Sequence, residues 1–227
     1  MTYCTNRTIV KSEDRNRVAI SLRCRSWTCP DCADTRKAGL IAQAIGGSPT
    51  IFLTLTLKRS VAETPEQAAR ILARAWRLLR LRIMRHRKWR RLPFIVVFEP
   101  HESGWPHMHL LLRCSFIDWR WLKENWLDIC QSSHVYIRYA KNKQQSAAYC
   151  CKYVGKGSEK FGSCKRYWMS QDYDLRPKAD HLNKRKHKGS WDFIERRFTL
   201  YIGDLTDRGW SVEYHSTHKA TIRPPPC

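Results

Sequence analysis

Apolar and polar positions along the chain fall into a few regular stretches. Thr50-Ile-Phe-Leu-Thr-Leu-Thr-Leu-Lys58 is dense in β-branched and apolar residues and predicts a central strand. Over residues 65–91 the spacing becomes helical: Ala68, Ile71, Leu72, Ala75, Trp76, Leu79 and Ile83 form one apolar stripe. Thr64-Pro65-Glu66-Gln67 supplies its start, with Thr at the N-cap, Pro in the first turn and Gln at the capping-box position. Pro93 stops that helix. Residues 94–99 and 107–113 predict two further strands, joined through a loop containing Gly104 and Pro106. A short helix is expected over 119–130 and a strand over 134–139, followed by a helix capped by Asn142 or Ser146 and running to about Gly155. The order β-α-β-β-α-β-α predicts an α+β fold. Its expected form is an antiparallel, ferredoxin-like or RRM-like sheet with helices packed on it.

Beyond Gly157 the periodicity weakens. Residues 173–190 read as polar, basic loop, and 197–202 and 211–214 could pair as an extra hairpin. The expected division is a cysteine-rich segment over 1–47, a core over 48–160 and a basic extension over 161–227 that could add its hairpin to the core. The tail Pro224-Pro-Pro-Cys227 should be unstructured.

Charge narrows the function. Lys and Arg total 42 against 20 acidic residues, a net charge of +22 spread along the whole length. Such a chain attracts polyanions, and its 10 Trp, 9 Tyr and 7 Phe offer rings that can stack on unpaired bases. The Arg-rich side of the 65–91 helix is a natural phosphate-facing surface, so Arg77, Arg80, Arg87 and Lys88 are candidate DNA contacts, with Arg113 beyond them. No basic amphipathic helix or lipidation signal argues for a membrane, and no stretch approaches the roughly 20 apolar residues of a span. The polar start is no signal peptide, so a cytoplasmic protein is expected.

The strand over 107–113 carries the first candidate chemistry. Residues two apart on a strand share a face, so His107 and His109 point the same way while Met108, Leu110 and Leu112 face the core. Glu99 ends the neighbouring strand of the hairpin and can stand beside them. Two imidazoles and a carboxylate, with positions left open, suit Mg²⁺ or Mn²⁺ acting on a phosphate. His101 and Glu102, in the connecting loop, are less constrained, and Glu99 ranks above Glu102 as third ligand. The second candidate is Tyr149-Cys-Cys-Lys-Tyr153-Val-Gly-Lys156. On a helix Tyr149 and Tyr153 share a face, and Lys152 and Lys156 follow each by three positions. A phenol with a pKa of about 10 needs such cationic help to act as a nucleophile.

Together these motifs resemble those of HUH endonucleases, the rolling-circle replication initiators of plasmids, phages and small DNA viruses. Phe52-Leu-Thr-Leu-Thr-Leu57 is similar to the family's first motif, Glu99-Pro-His-Glu-Ser-Gly-Trp-Pro-His107-Met-His109 to its second, and Tyr149-x-x-x-Tyr153-x-x-Lys156 to its third, in the two-tyrosine form. The resemblance covers residues 50–157. It implies a metal-dependent nickase in which a tyrosine attacks single-stranded or hairpin origin DNA, leaving a 5′-phosphotyrosine and a free 3′-OH. Tyr153 would make the first cut and Tyr149 the second transfer, or the reverse, with Lys152 or Lys156 steadying the developing charge. No ATP-binding Gly-x-x-x-x-Gly-Lys-Ser/Thr motif occurs, so a host helicase and polymerase are the expected partners.

Cys24-x4-Cys29-Pro-Asp-Cys32 reads as a Zn²⁺ site with Cys4 the nearest fourth ligand, whereas Cys114, Cys130, Cys150, Cys151 and Cys164 show no paired spacing. Two rivals remain: a transposase using the same chemistry, and a zinc-containing nucleic-acid-binding regulator with no catalysis. The regulator explains the charge and the cysteines but has no need of the histidines, Glu99 or the tyrosines.

Overall fold

The computed structural model describes residues 7–13, 15–152, 154, 161–176, 191–216 and 219–225. Along the chain run β1 (Thr8–Glu13), β2 (Asn16–Ser21), α1 (Pro30–Gly46), β3 (Ile51–Thr56), one 3-10 turn (Arg59–Val61), α2 (Pro65–His86), β4 (Phe94–Pro100) and β5 (Pro106–Leu112). They are followed by α3 (Trp119–Cys130), β6 (Val135–Tyr139), α4 (Lys143–Cys151), β7 (Tyr167–Met169), β8 (Asp192–Ile194), α5 (Phe198–Asp207), β9 (Ser211–Ser216) and β10 (Lys219–Arg223). The protein is α+β, with two antiparallel five-stranded sheets and five α-helices among the described residues. Two compact units divide it, residues 35–176 and residues 1–34 with 177–227.

In the first of these the strand order is β6-β3-β5-β4-β7, every pair antiparallel. Strand alternation sorts the residues. Leu53, Leu55, Val96, Phe98, Met108, Leu110 and Leu112 meet Leu72, Trp76, Leu79 and Ile83 of α2 and Leu122 and Trp126 of α3 in one core. Each such side chain, fully buried, stabilises the fold by about 1.5–3 kcal/mol. The start of α2 forms as its sequence dictates: the Thr64 hydroxyl accepts from Gln67 N at 3.2 Å, and Gln67 Oε1 accepts from Glu63 N at 2.8 Å. The helix stops at His86, short of residue 91, because Lys88 takes a left-handed conformation (φ 54°) just after the Arg87 cap.

The far end of β5 is fastened by residues expected in a loop. Tyr173 is fully buried and its hydroxyl donates to Ala44 O at 2.9 Å. A Cβ at Gly47 would lie 2.1 Å from Tyr173 Cε1, so only glycine fits there. Arg113 donates to Gly47 O at 2.9 Å, Tyr173 O at 2.9 Å and Asp172 O at 2.6 Å.

The second unit holds the sheet β8-β1-β2-β10-β9, whose Val10, Ala19, Ala220 and Ile222 pack on Phe198, Ile202 and Leu205 of α5. Residues 198–207 are thus helical where a strand was expected over 197–202. Phe198, Ile202 and Leu205 follow i, i+4, i+7, a periodicity masked by the intervening Leu200 and Tyr201. Residues 211–216 do form a strand, but it pairs with β10 (Thr221↔Glu213), and β10 pairs with β2 (Thr221↔Val18), so this hairpin extends the small sheet and not the central one. The expected loop over 177–190 lies outside the described residues.

Candidate functional site

The face of the central sheet opposite the α2–α3 core carries the candidate chemistry. Antiparallel register sets His107 opposite both Glu99 and Thr56, and His109 opposite Thr54. Thr56 is held in place from the other side: its carbonyl accepts from Trp126 Nε1 at 3.1 Å and from Ser132 Oγ at 2.7 Å. Glu99 Oε2 and His109 Nε2 are in direct contact, with both side chains largely buried. Thr54 Oγ1 lies 3.0 Å from His109 Nδ1, and Thr56 Oγ1 lies 3.4 Å from His107 Nδ1.

The helix α4 brings the tyrosine. Asn142 caps it, accepting from Gln145 N at 2.9 Å, and Ala147, Cys150 and Cys151 anchor it by burial. Tyr149 then projects from the last turn, 47% exposed. Its ring stands edge-on to His109 at 5.7 Å (78°) and to Phe52 at 5.6 Å (72°), and the Arg138 guanidinium lies 4.8 Å from the Phe52 centroid. Cys150 is fully buried; its hydrogen bond to Cys151, together with burial, holds its thiol well above the usual range, so this thiol stays protonated and inert beside the tyrosine.

Thr54, Glu99, His101, His107, His109, Tyr136 and Tyr149 together line a cavity of about 290 Å³. His101, which spacing alone left unconstrained, stacks on His107 at 4.9 Å (9°), and Tyr136 closes the cavity from the edge strand. Their signals were present in the sequence: Tyr136 alternates with Ile137 on β6, and its register partner is Thr54. Burial, then the neighbouring His101 and His109, lower the pKa of His107, with Glu99 acting weakly the other way. The imidazole is therefore neutral, as a ligand must be, near neutral pH.

The donor set fits a hard divalent cation, two imidazoles and one carboxylate around an open cavity. The facing lone pairs of Glu99 Oε2 and His109 Nε2 call for a proton or a cation between them. The donor atoms of all three residues are not gathered, however, since the His107 ring is turned onto His101. Among the described residues, the one cluster with three ligand atoms mutually within 4.8 Å is Cys24, Cys29 and Cys32, which could hold a metal such as zinc. Cys24 Sγ and Cys32 Sγ lie 4.0 Å apart, close to the ~3.8 Å that Zn–S bonds of about 2.3 Å give in a tetrahedron. Ser26 N donates to Cys24 Sγ at 3.3 Å, which favours the thiolate.

Other expected residues stand apart. The α2 residues Arg77 and Arg80 are not among the cavity's lining; α2 packs on the opposite face, and Arg80 Nε donates to Leu92 O at 3.3 Å. Arg87 and Lys88, at the helix end, are exposed and also away from the cavity. Arg113, expected to face DNA, instead commits its guanidinium to the three carbonyls already described. Lys152 is the exposed cap of α4, which ends at Cys151 and not near 155, while Tyr153, Lys156 and Cys4 lie outside the described residues. No helix among the described residues is long and apolar enough to cross a membrane.

Residues 50–158, which span the cavity and all its lining residues, match the family model of the replication-associated protein ORF2. The match supports a rolling-circle replication initiator, and such a role implies DNA binding. No curated protein and no solved structure matches the chain.

Proposed function

We propose that the chain is a rolling-circle replication initiator of the HUH type, a metal-dependent endonuclease and strand transferase for single-stranded origin DNA. The observation that carries the reading is one cavity, inside the family-matched stretch, lined by His107, His109, Glu99 and Tyr149. The strand order β6-β3-β5-β4, with α2 and α3 as the crossovers, is read as ferredoxin-like, and residues 48–160 as the endonuclease core.

Glu99, His107 and His109 would hold Mg²⁺ or Mn²⁺, which when bound polarises the scissile phosphate. The Tyr149 oxygen attacks the phosphorus and loses its proton to solvent. The bond from phosphorus to the 3′-oxygen breaks, and that oxygen leaves with a proton as the primer end. Tyr153 is proposed as the second phenol on the strength of its spacing, and Lys152 and Lys156 as cations near the displaced charge. Cys24, Cys29 and Cys32 would bind structural Zn²⁺, and helicase and polymerase would come from the host.

The test is incubation of the full chain with single-stranded fragments of its own replicon and Mn²⁺. A covalent protein–DNA adduct that survives denaturation is expected, and should be lost in the doubly substituted Tyr149→Phe, Tyr153→Phe protein. Tyr149→Phe keeps its ring contacts and should fold normally, within about 0.5 kcal/mol of the parent. Absence of any adduct, or an undiminished adduct in the double variant, overturns the proposal.

A further inference from the structure

We infer that Thr54 and Thr56 are positioning residues for the two histidines, acting through hydroxyl groups that hold each imidazole by Nδ1 and leave each Nε2 as the ligand atom. This rests on the reading of the cavity as a metal centre.

The placement is built into the sheet. Thr54 pairs with His109 and Thr56 with His107, so β3 presents a hydroxyl opposite each imidazole on β5. The two contacts repeat the same atoms: Oγ1 to Nδ1, at 3.0 Å and 3.4 Å. The intervening residues on both strands, Leu55 and Met108, are fully buried on the other face, so neither threonine can be explained as a core residue. Both threonines are fixed in turn. β3 is flanked by β5 and β6, and the Thr56 carbonyl is held by Trp126 and Ser132.

A threonine suits this place because its hydroxyl can give or take a hydrogen bond. With no cation present, His109 can keep its proton on Nε2, donate to Glu99 and accept from Thr54 at Nδ1. When a cation takes the place of that proton, the proton resides on Nδ1 and Thr54 becomes the acceptor. A carboxylate in its place could only accept, and a valine could do neither. The hydroxyl thus satisfies His109 in both states without moving the strand. Partners of this kind, one step behind a ligand, typically affect metal affinity about 10–100-fold.

The experiment compares Thr54→Val, Thr54→Ser and His109→Ala in the full chain. Mn²⁺ affinity is measured by electron paramagnetic resonance, and imidazole proton positions by ¹⁵N NMR with and without saturating Mg²⁺. Wild type should move its His109 proton from Nε2 to Nδ1 on loading. Thr54→Val should bind Mn²⁺ about 10-fold or more weaker, and Thr54→Ser should restore both affinity and the proton shift. If wild type binds Mn²⁺, His109→Ala abolishes binding and Thr54→Val matches wild type, the inference about Thr54 fails while the metal centre stands. If Val and Ser variants lose affinity equally, the role is packing and the inference also fails. If wild type shows no Mn²⁺ binding that His109→Ala removes, the metal centre itself fails and the inference with it.

Discussion

Replacing Arg113 with Met separates two roles that a surface arginine can have. Methionine retains most of the aliphatic stem and removes the guanidinium, which donates to Gly47 O, Asp172 O and Tyr173 O at 2.6–2.9 Å. Hydrogen bonds from a charged donor contribute about 1.5–3 kcal/mol each, and orphaned carbonyls add a desolvation cost. The three bonds share one donor group and are partly exposed, so their contributions do not add fully, and a loss of about 3 kcal/mol is expected. In a unit of this size that corresponds to a fall in Tm of about 6–12 °C. The assay is urea denaturation at neutral pH, followed by tryptophan fluorescence, alongside single-stranded DNA binding across a salt series. Arg113→Lys should recover only part of the loss, since one ammonium cannot span the three carbonyls as the planar guanidinium does. The reasoning is refuted if Arg113→Met stays within about 0.5 kcal/mol of wild type while the salt dependence of DNA binding falls by the ~0.7 slope of one phosphate contact.

Two further expectations follow from the sites. His107 has a folded pKa below its unfolded value, so its neutral form contributes stability that is present above about pH 6.5 and is lost as pH falls through the lower folded value. Between pH 7.5 and pH 5, wild type should therefore lose more stability than His107→Asn; parallel urea midpoints in the two proteins would show the ring to be unperturbed. For the cysteine cluster, the purified protein should carry one Zn²⁺, and Cys32→Ser should release it to a chromogenic chelator at least about 10-fold faster than wild type; equal release would remove the cluster from consideration as a metal site.

Elements with strong periodicity were legible from the chain. The Thr64 cap and the stripe from Ala68 to Ile83 mark α2, and the alternation of Met108, Leu110 and Leu112 with the histidines marks β5 and its two faces. The proximity of Glu99 to the histidines followed from a hairpin of short connection, although the structure sets Glu99 opposite His107 and in contact with His109. The hairpin of β1 and β2 was not legible, because its polar residues Lys11, Ser12 and Arg17 dilute the alternation of Val10, Val18 and Ala19. Tyr173 was hidden for another reason. Its burial depends on Gly47 and Ala44, more than a hundred residues earlier, and no local pattern reports such a contact. Arg113 shows the same limit, since local charge says nothing about which carbonyls a fold brings within reach.

The pairing of β3 with β5 ties inheritance of the site to inheritance of the core. Inserting or deleting one residue inside 51–56 or 106–112 would turn Met108 and Leu110 toward water and drive His107 and His109 among leucines. Such a change removes the reactive face and the packed face in one event, so no lineage can pass through a stable but inactive intermediate by that route. Changes of length are tolerable in the turn at 101–105, where residues are largely exposed and Gly104 already adopts φ 77°. A drifting copy of this chain would therefore vary in the span between Glu99 and His107 while keeping the two-residue interval from His107 to His109 fixed.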